Sequence, residues 1–319
     1  MATNETEKKE VLVDHTDLAG RSAVVRVEVR DSRFWQVIET GAELEQVATS
    51  FQFLEGPVWQ PYDRQLTFSD ILGDCIYRWS REEGVTVFRK PSHMANGNTF
   101  DRQGRLLTCE HATSRVTRTD HDGSMEVMAS HYDGKELNSP NDIVVKRDGG
   151  IYFTDPNSGR GGRFGVLREQ ELSFQGVYRL DPDDKTLTLL AEDFSRPNGL
   201  CFSTDEKRLF VNDSDRGHIR LFDVQPDGLL ANDRVWAELI GTGVGVADGM
   251  KVDQDGNLYC CGPGGIYLFD ADANCLGVIR MPEHTANLAW GDDDLQSLYI
   301  TASTSLYRLR VKTPGLPAF

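Results

Sequence analysis

The sequence predicts an all-β protein, a six-bladed β-propeller with a central metal-binding channel. Three observations carry that expectation. Helix signals are scarce, short β-branched and aromatic runs recur behind Asp-Gly-type turns, and units of this kind repeat along the 319-residue chain at blade-length spacing. The segments VKRDGGIYFTD, VDQDGNLYCCG and FDRQGRLLTCE each read as strand, tight turn, strand.

Taken in order, the units are EGPVWQPYDRQLTFSD from Glu55, NGNTFDRQGRLLTCE from Asn96, NDIVVKRDGGIYFTD from Asn141, NGLCFSTDEKRLFVND from Asn198, DGMKVDQDGNLYCCG from Asp248 and NLAWGDDDLQSLYITA from Asn287. Successive starts differ by 41, 45, 57, 50 and 39 residues, and several units continue into a further strand such as GVYRLDP, HIRLFDV, GIYLFDA or SLYRLRV. Roughly 45 residues in four short strands is the size of one propeller blade. A linear solenoid would need polar capping repeats, whereas the last unit here ends almost at the C-terminus. Residues 34–54 carry strand-like alternation and are expected to complete the last blade, because ring closure removes the exposed edges that a sheet must otherwise protect. Residues 1–33 form a tail or, at AVVRVEVR, an extra edge strand. Residues 34–319 then make one domain.

Composition narrows the function. With 34 Lys+Arg against 50 Asp+Glu the chain carries a net charge of −16 and no basic cluster, which argues against nucleic acid as a partner. No run approaches the roughly 18 apolar residues of a membrane span. The polar start MATNETEKKE lacks a secretory pattern, so a cytoplasmic location is expected. Six cysteines with no C-x-x-C pair read as core thiols.

Registering the units shows which residues are equivalent. From each unit's first residue to the first apolar residue after its turn is 10 or 11 positions, so Glu55, Asn96, Asn141, Asn198, Asp248 and Asn287 occupy the same place in each blade. In a closed propeller they converge on one channel mouth. Two carboxylates and four amides are oxygen donors suited to a hard cation, Ca²⁺ or Mg²⁺, and two bare carboxylates in a narrow pocket would otherwise repel. Competing motifs are missing: there is no G-x-S-x-G elbow, no H-E-x-x-H pair and no P-loop. Of the second blade's histidines only His111, in CEHATSR, is placed to reach the channel. The long third-to-fourth-unit insertion, DPNSGRGGRFGVLREQELSFQG, is expected to act as a lid carrying Arg160 and Arg163 over the site.

The segments EGPVW, SPNDIVVKRDGGIYFTDP, RPNGLCFS and ADGMKVDQDGNLY resemble those of the SMP-30/gluconolactonase/LRE-like (regucalcin) family over about residues 34–311. The resemblance implies one catalytic divalent metal held by Glu55, Asn141, Asn198 and Asp248, with Ca²⁺ favoured and Mg²⁺, Mn²⁺ or Zn²⁺ as alternatives. It places Asn96, His111 and Asn287 facing the substrate. The expected reaction is hydrolysis of an aldono-type sugar lactone, the metal polarising the carbonyl and Asp248 taking the proton from water. An organophosphate or aryl-ester hydrolase on the same scaffold, or a non-catalytic calcium-binding propeller, are the alternatives. Oligomeric state is not legible in the sequence.

Overall fold

A computed structural model describes residues 22–318 of the chain. Six antiparallel sheets of four or five strands stand around a common axis. Blade 1 is built from Leu54–Gln60, Gln65–Asp70, Cys75–Ser80 and Gly84–Arg89, running outward from the axis in that order. Blades 2 to 6 repeat the plan, their innermost strands being Ala95–Phe100, Ile143–Val145, Pro197–Phe202, Met250–Val252 and Thr285–Gly291. The strands form where alternating apolar residues are bounded by Asp-Gly turns. In blade 2 the Asp101 carboxylate accepts the Gln103 and Arg105 N–H groups, both at 2.9 Å, and closes the hairpin that leads to the second strand.

The apolar core is spread between blades. Tyr152, Val177, Leu200, Val211 and Phe222 pack blade 3 on blade 4, and Trp59 of blade 1 stacks on Tyr299 of blade 6 with ring centroids 5.6 Å apart. All six cysteines are free thiols, five of them buried.

The ring closes as expected, with one refinement. Glu43–Thr49 pairs with Ser305–Arg310 and is the outer strand of the last blade, but Phe34–Val37, read as strand, is a single helical turn that buries Phe34 and Val37. Of the first 33 residues, Ser22–Val24 adds a fifth strand to blade 6 and Arg26–Val29 a fifth strand to blade 5. The AVVRVEVR segment is therefore edge strand in two pieces; residues 1–21 lie outside the described part of the chain. Among the described residues no helix is long and apolar enough to cross a membrane.

Candidate functional site

The equivalent residues do converge, and a backbone irregularity aims them. In blades 1, 2, 4 and 6 the ladder between the two innermost strands breaks by a β-bulge at the first residue of the repeat, between Glu55 and Val58, Ala95 and Asn98, Pro197 and Leu200, and Thr285 and Asn287. In blades 3 and 5 the paired strand begins two residues after Asn141 and Asp248. Such breaks turn a side chain out of the pleat, here toward the axis. All six residues are buried.

A second tier of carboxylates fixes the approach to that ring. Asp70, at the end of the second strand of blade 1, accepts the backbone N–H groups of Gln52 and Phe53 at 3.0 and 2.9 Å. Asp155 does the same for Asn138 and Ser139, both at 2.8 Å, and Asp213 for Ser195 and Arg196 at 2.8 and 3.2 Å. Each clamps the chain just before Glu55, Asn141 or Asn198. Close packing then sets the ring's width. The residue after the ring position is glycine in four blades, and a Cβ on Gly56 would lie 2.0 Å from the Asn96 carbonyl oxygen, one on Gly199 2.3 Å from that of Asp248.

At the centre, Glu55 accepts hydrogen bonds from the Gly56 N–H at 2.8 Å and the Asn287 amide at 3.1 Å. Burial pushes the Glu55 carboxyl up, opposed by the Gly56 N–H and reinforced by the charge of Asp142. Burial likewise pushes Asp248 upward, and the charges of Glu55 and Asp142 add to it, while the Asn198 amide partly offsets them. The Asn198 amide nitrogen is held by Ser214 Oγ at 3.1 Å. Asp248 Oδ1 and Asp142 Oδ2 are buried and have no hydrogen-bond partner among the described residues. Orphaned carboxylate oxygens inside a ring of amides are costly unless a cation completes them. Among the described residues no three His, Cys, Asp or Glu side chains gather tightly enough to hold an ion alone, and the neighbouring amide oxygens are further donors of the kind a hard cation takes.

Asp142 and His284 extend the site beyond the expected residues. Asp142 occupies the position that is glycine in four other blades, an anomaly readable in the PND segment. His284 Nε2 lies 3.9 Å from Asp248 Oδ2 and has no hydrogen-bond partner among the described residues. Burial, with the charge of Arg163 nearby, lowers its proton affinity.

His111 and Arg160 behave differently from the expectation. His111 donates through Nδ1 to the Phe164 carbonyl at 2.8 Å, and this fixes the tautomer whose Nε2 accepts the Asn96 amide at 3.0 Å. Both ring nitrogens are thus spent on holding Asn96 and the 156–174 loop. Burial pushes its proton affinity down to about 4, against the pull of the Phe164 carbonyl and with that of the Arg168 charge. In the unfolded chain the ring titrates near pH 6.5. Folding stability from this group is therefore fully present above about pH 6.5 and lost as the pH falls to 4, a change of up to about 3 kcal/mol. Urea unfolding of the His111→Gln variant should show a pH 7 to pH 4.5 loss smaller than the wild type's by about 2 kcal/mol; equal losses would refute the buried neutral ring.

Arg160 does not face the substrate. It is 5% exposed, and its guanidinium donates to the carbonyls of Asn138 at 3.0 Å, Leu137 at 2.5 Å and Glu169, and to Glu136 at 2.7 Å. It is the anchor of the loop. The loop does reach blade 1: Phe164 packs edge-on against Phe53 at 4.8 Å, and Phe53 lies 5.6 Å from the His284 ring. Loss of four bonds to a buried cation is expected to free this loop. Arg160→Leu should open a chymotryptic cut within residues 160–175 and raise KM severalfold with kcat nearly kept; an uncut loop would show that other contacts hold it.

Fold and site together define a six-bladed ring with buried carboxylates and amides at its axis and the Arg160 loop against blade 1. The chain belongs to the SMP-30/gluconolactonase/LRE-like family, whose profile matches residues 53–304. It is 33% identical to a gluconolactonase of Zymomonas mobilis over 92% of this chain and 88% of that one. It is 27% identical to the pentonolactonase XacC of Haloferax volcanii over 86% and 96%. The crystallised gluconolactonase of Xanthomonas campestris superposes with a TM-score of 0.84 at 34% identity, covering 92% of this chain and 98% of its own. The protein is a lactone-hydrolysing enzyme.

Proposed function

We propose that the enzyme opens an aldono-type sugar lactone with the help of one divalent cation, and that Asp248 is the base. The single observation that carries this reading is Asp248 Oδ1, a buried carboxylate oxygen at the ring of equivalent residues with no hydrogen-bond partner among the described residues. Glu55, Asn141, Asn198 and Asp248 would hold the cation, and the all-oxygen set favours Ca²⁺ over Mg²⁺, Mn²⁺ or Zn²⁺. When bound it supplies Lewis acidity to the lactone carbonyl.

The chain's own residues do the rest. Asp248 takes a proton from water as the water oxygen bonds to the carbonyl carbon; the ring C–O bond then breaks and the leaving alkoxide takes a proton back, giving the hydroxy acid. Asn96, its amide nitrogen tied to His111, presents its carbonyl oxygen to substrate hydroxyls. Asn287 steadies Glu55. Phe53 and Phe164 close the mouth and limit water.

Exhaustive chelation followed by acid-release assays on a sugar lactone, dihydrocoumarin and a phosphofluoridate tests this. The expected result is activity confined to lactones, highest on the sugar lactone, lost on chelation and restored by Ca²⁺. Full activity without metal would overturn the cation, and preference for the phosphofluoridate would overturn the substrate class.

A further inference from the structure

A large cavity lies at the other end of the channel. It measures about 590 Å³ and is lined by residues beyond the ring on the innermost strands of all six blades, together with Leu316, Pro317 and Ala318. That volume falls within the range of small-molecule sites. Its walls are mostly apolar: Trp59, Trp290, Val145, Phe202, Val252 and Leu316 all contribute. The C-terminal segment builds its floor, Gly315 N donating to the Leu295 carbonyl at 2.8 Å and Gln254 N to that of Pro314 at 2.9 Å.

The charges on this wall do not balance. Every acid there is already engaged: Glu206 faces Arg147, Asp293 is 2.8 Å from Arg64, and Asp292 is held by Arg308. Lys146 is paired with Asp148 at 2.6 Å. Lys251 and Arg102, which also line the cavity, make no ion pair among the described residues; the Lys251 ammonium reaches only the Met250 carbonyl, at 3.1 Å. Trp59, 6% exposed, adds an indole N–H with no acceptor among the described residues. Donors and positive charge thus exceed their partners, in a chain whose overall charge is −16.

We propose that the lower channel is a second binding site, distinct from the lactone pocket, for an anionic amphiphile: a carboxylate on an aliphatic or aromatic body, the head on Lys251 and the body between Trp59 and Trp290. The apolar walls supply affinity through buried area, and the two unpaired cations select the sign of the head group. This inference does not depend on the lactonase mechanism.

Dodecanoate is the probe, titrated into the full-length, chelated protein by calorimetry, with the fluorescence of the lining tryptophans as a second readout. Saturable one-to-one binding is expected, weakened roughly tenfold by Lys251→Met and roughly threefold by Arg102→Ala. Arg102 is exposed, so its variant keeps the test alive if Lys251→Met fails to fold. Binding should be the same in the Asp248→Asn protein and insensitive to added sugar lactone. No saturable binding at about 1 mM dodecanoate, equal binding of dodecyltrimethylammonium, indifference to both substitutions, or displacement by lactone would each overturn the proposal.

Discussion

Asp248→Asn is expected to lower kcat for lactone opening by about a thousandfold, the scale of losing a positioned base, and to weaken Ca²⁺ binding at the same time. The substitution keeps the volume of the side chain and removes both its charge and its ability to accept a proton. Its surroundings are otherwise set by backbone, since the Asp248 N–H donates to the Cys261 carbonyl at 3.1 Å and its own carbonyl accepts from Asn212, so the fold should persist. Progress curves and calorimetric Ca²⁺ titrations on the same preparation check it. Near-wild-type turnover would remove Asp248 from the chemistry, while lost turnover with unchanged Ca²⁺ affinity would leave it as base and remove it as ligand.

The second large effect is structural. Gly56 has φ +54°, and a Cβ there would stand 2.0 Å from the Asn96 carbonyl oxygen and 2.8 Å from the Asn98 amide nitrogen, which itself donates to the Gly56 carbonyl at 2.9 Å. Both obstacles belong to the neighbouring blade's innermost strand, which cannot retreat without widening the ring. Gly56→Ala is expected to cost about 3 kcal/mol or more, from left-handed strain and overpacking together, and to lower Tm by about 5 °C. Thermal unfolding in the absence of metal measures this directly. A fall of about 1 kcal/mol or less would mean that the blades are not in fixed contact at the axis.

The legibility of the sequence followed its periodicity. The six ring residues could be found because a fixed distance of 10 or 11 positions to the next strand survives from blade to blade, and that distance is dictated by hairpin geometry. The closing strand was legible for the same reason. The helical turn at Phe34 was not, since four residues carry no helical period. Asp142 escaped notice because a carboxylate next to a presumed ligand looks redundant until the glycines of the other blades are aligned with it. His284 escaped because it lies in a connection with no repeat. Arg160 differs from its expected place over the site because three main-chain carbonyls and Glu136, contacts that the sequence does not reveal, take up its donors. Asp70, Asp155 and Asp213 end three of the units in plain sight, yet their work, holding the backbone ahead of the ring, becomes visible only when strands one and two lie side by side.

The partnership of Glu43–Thr49 with Ser305–Arg310 also sets a timetable. During synthesis Glu43–Thr49 leaves the ribosome well before its partner strand and waits until Ser305–Arg310 has been made. Until then Glu55 and Asp248 cannot face each other, because the contacts between first and last blades, such as Asn287 with Glu55, do not yet exist. A ribosome stalled before residue 305 therefore carries blades with Glu43–Thr49 unpaired on that side, and the ring stays open until its partner is made.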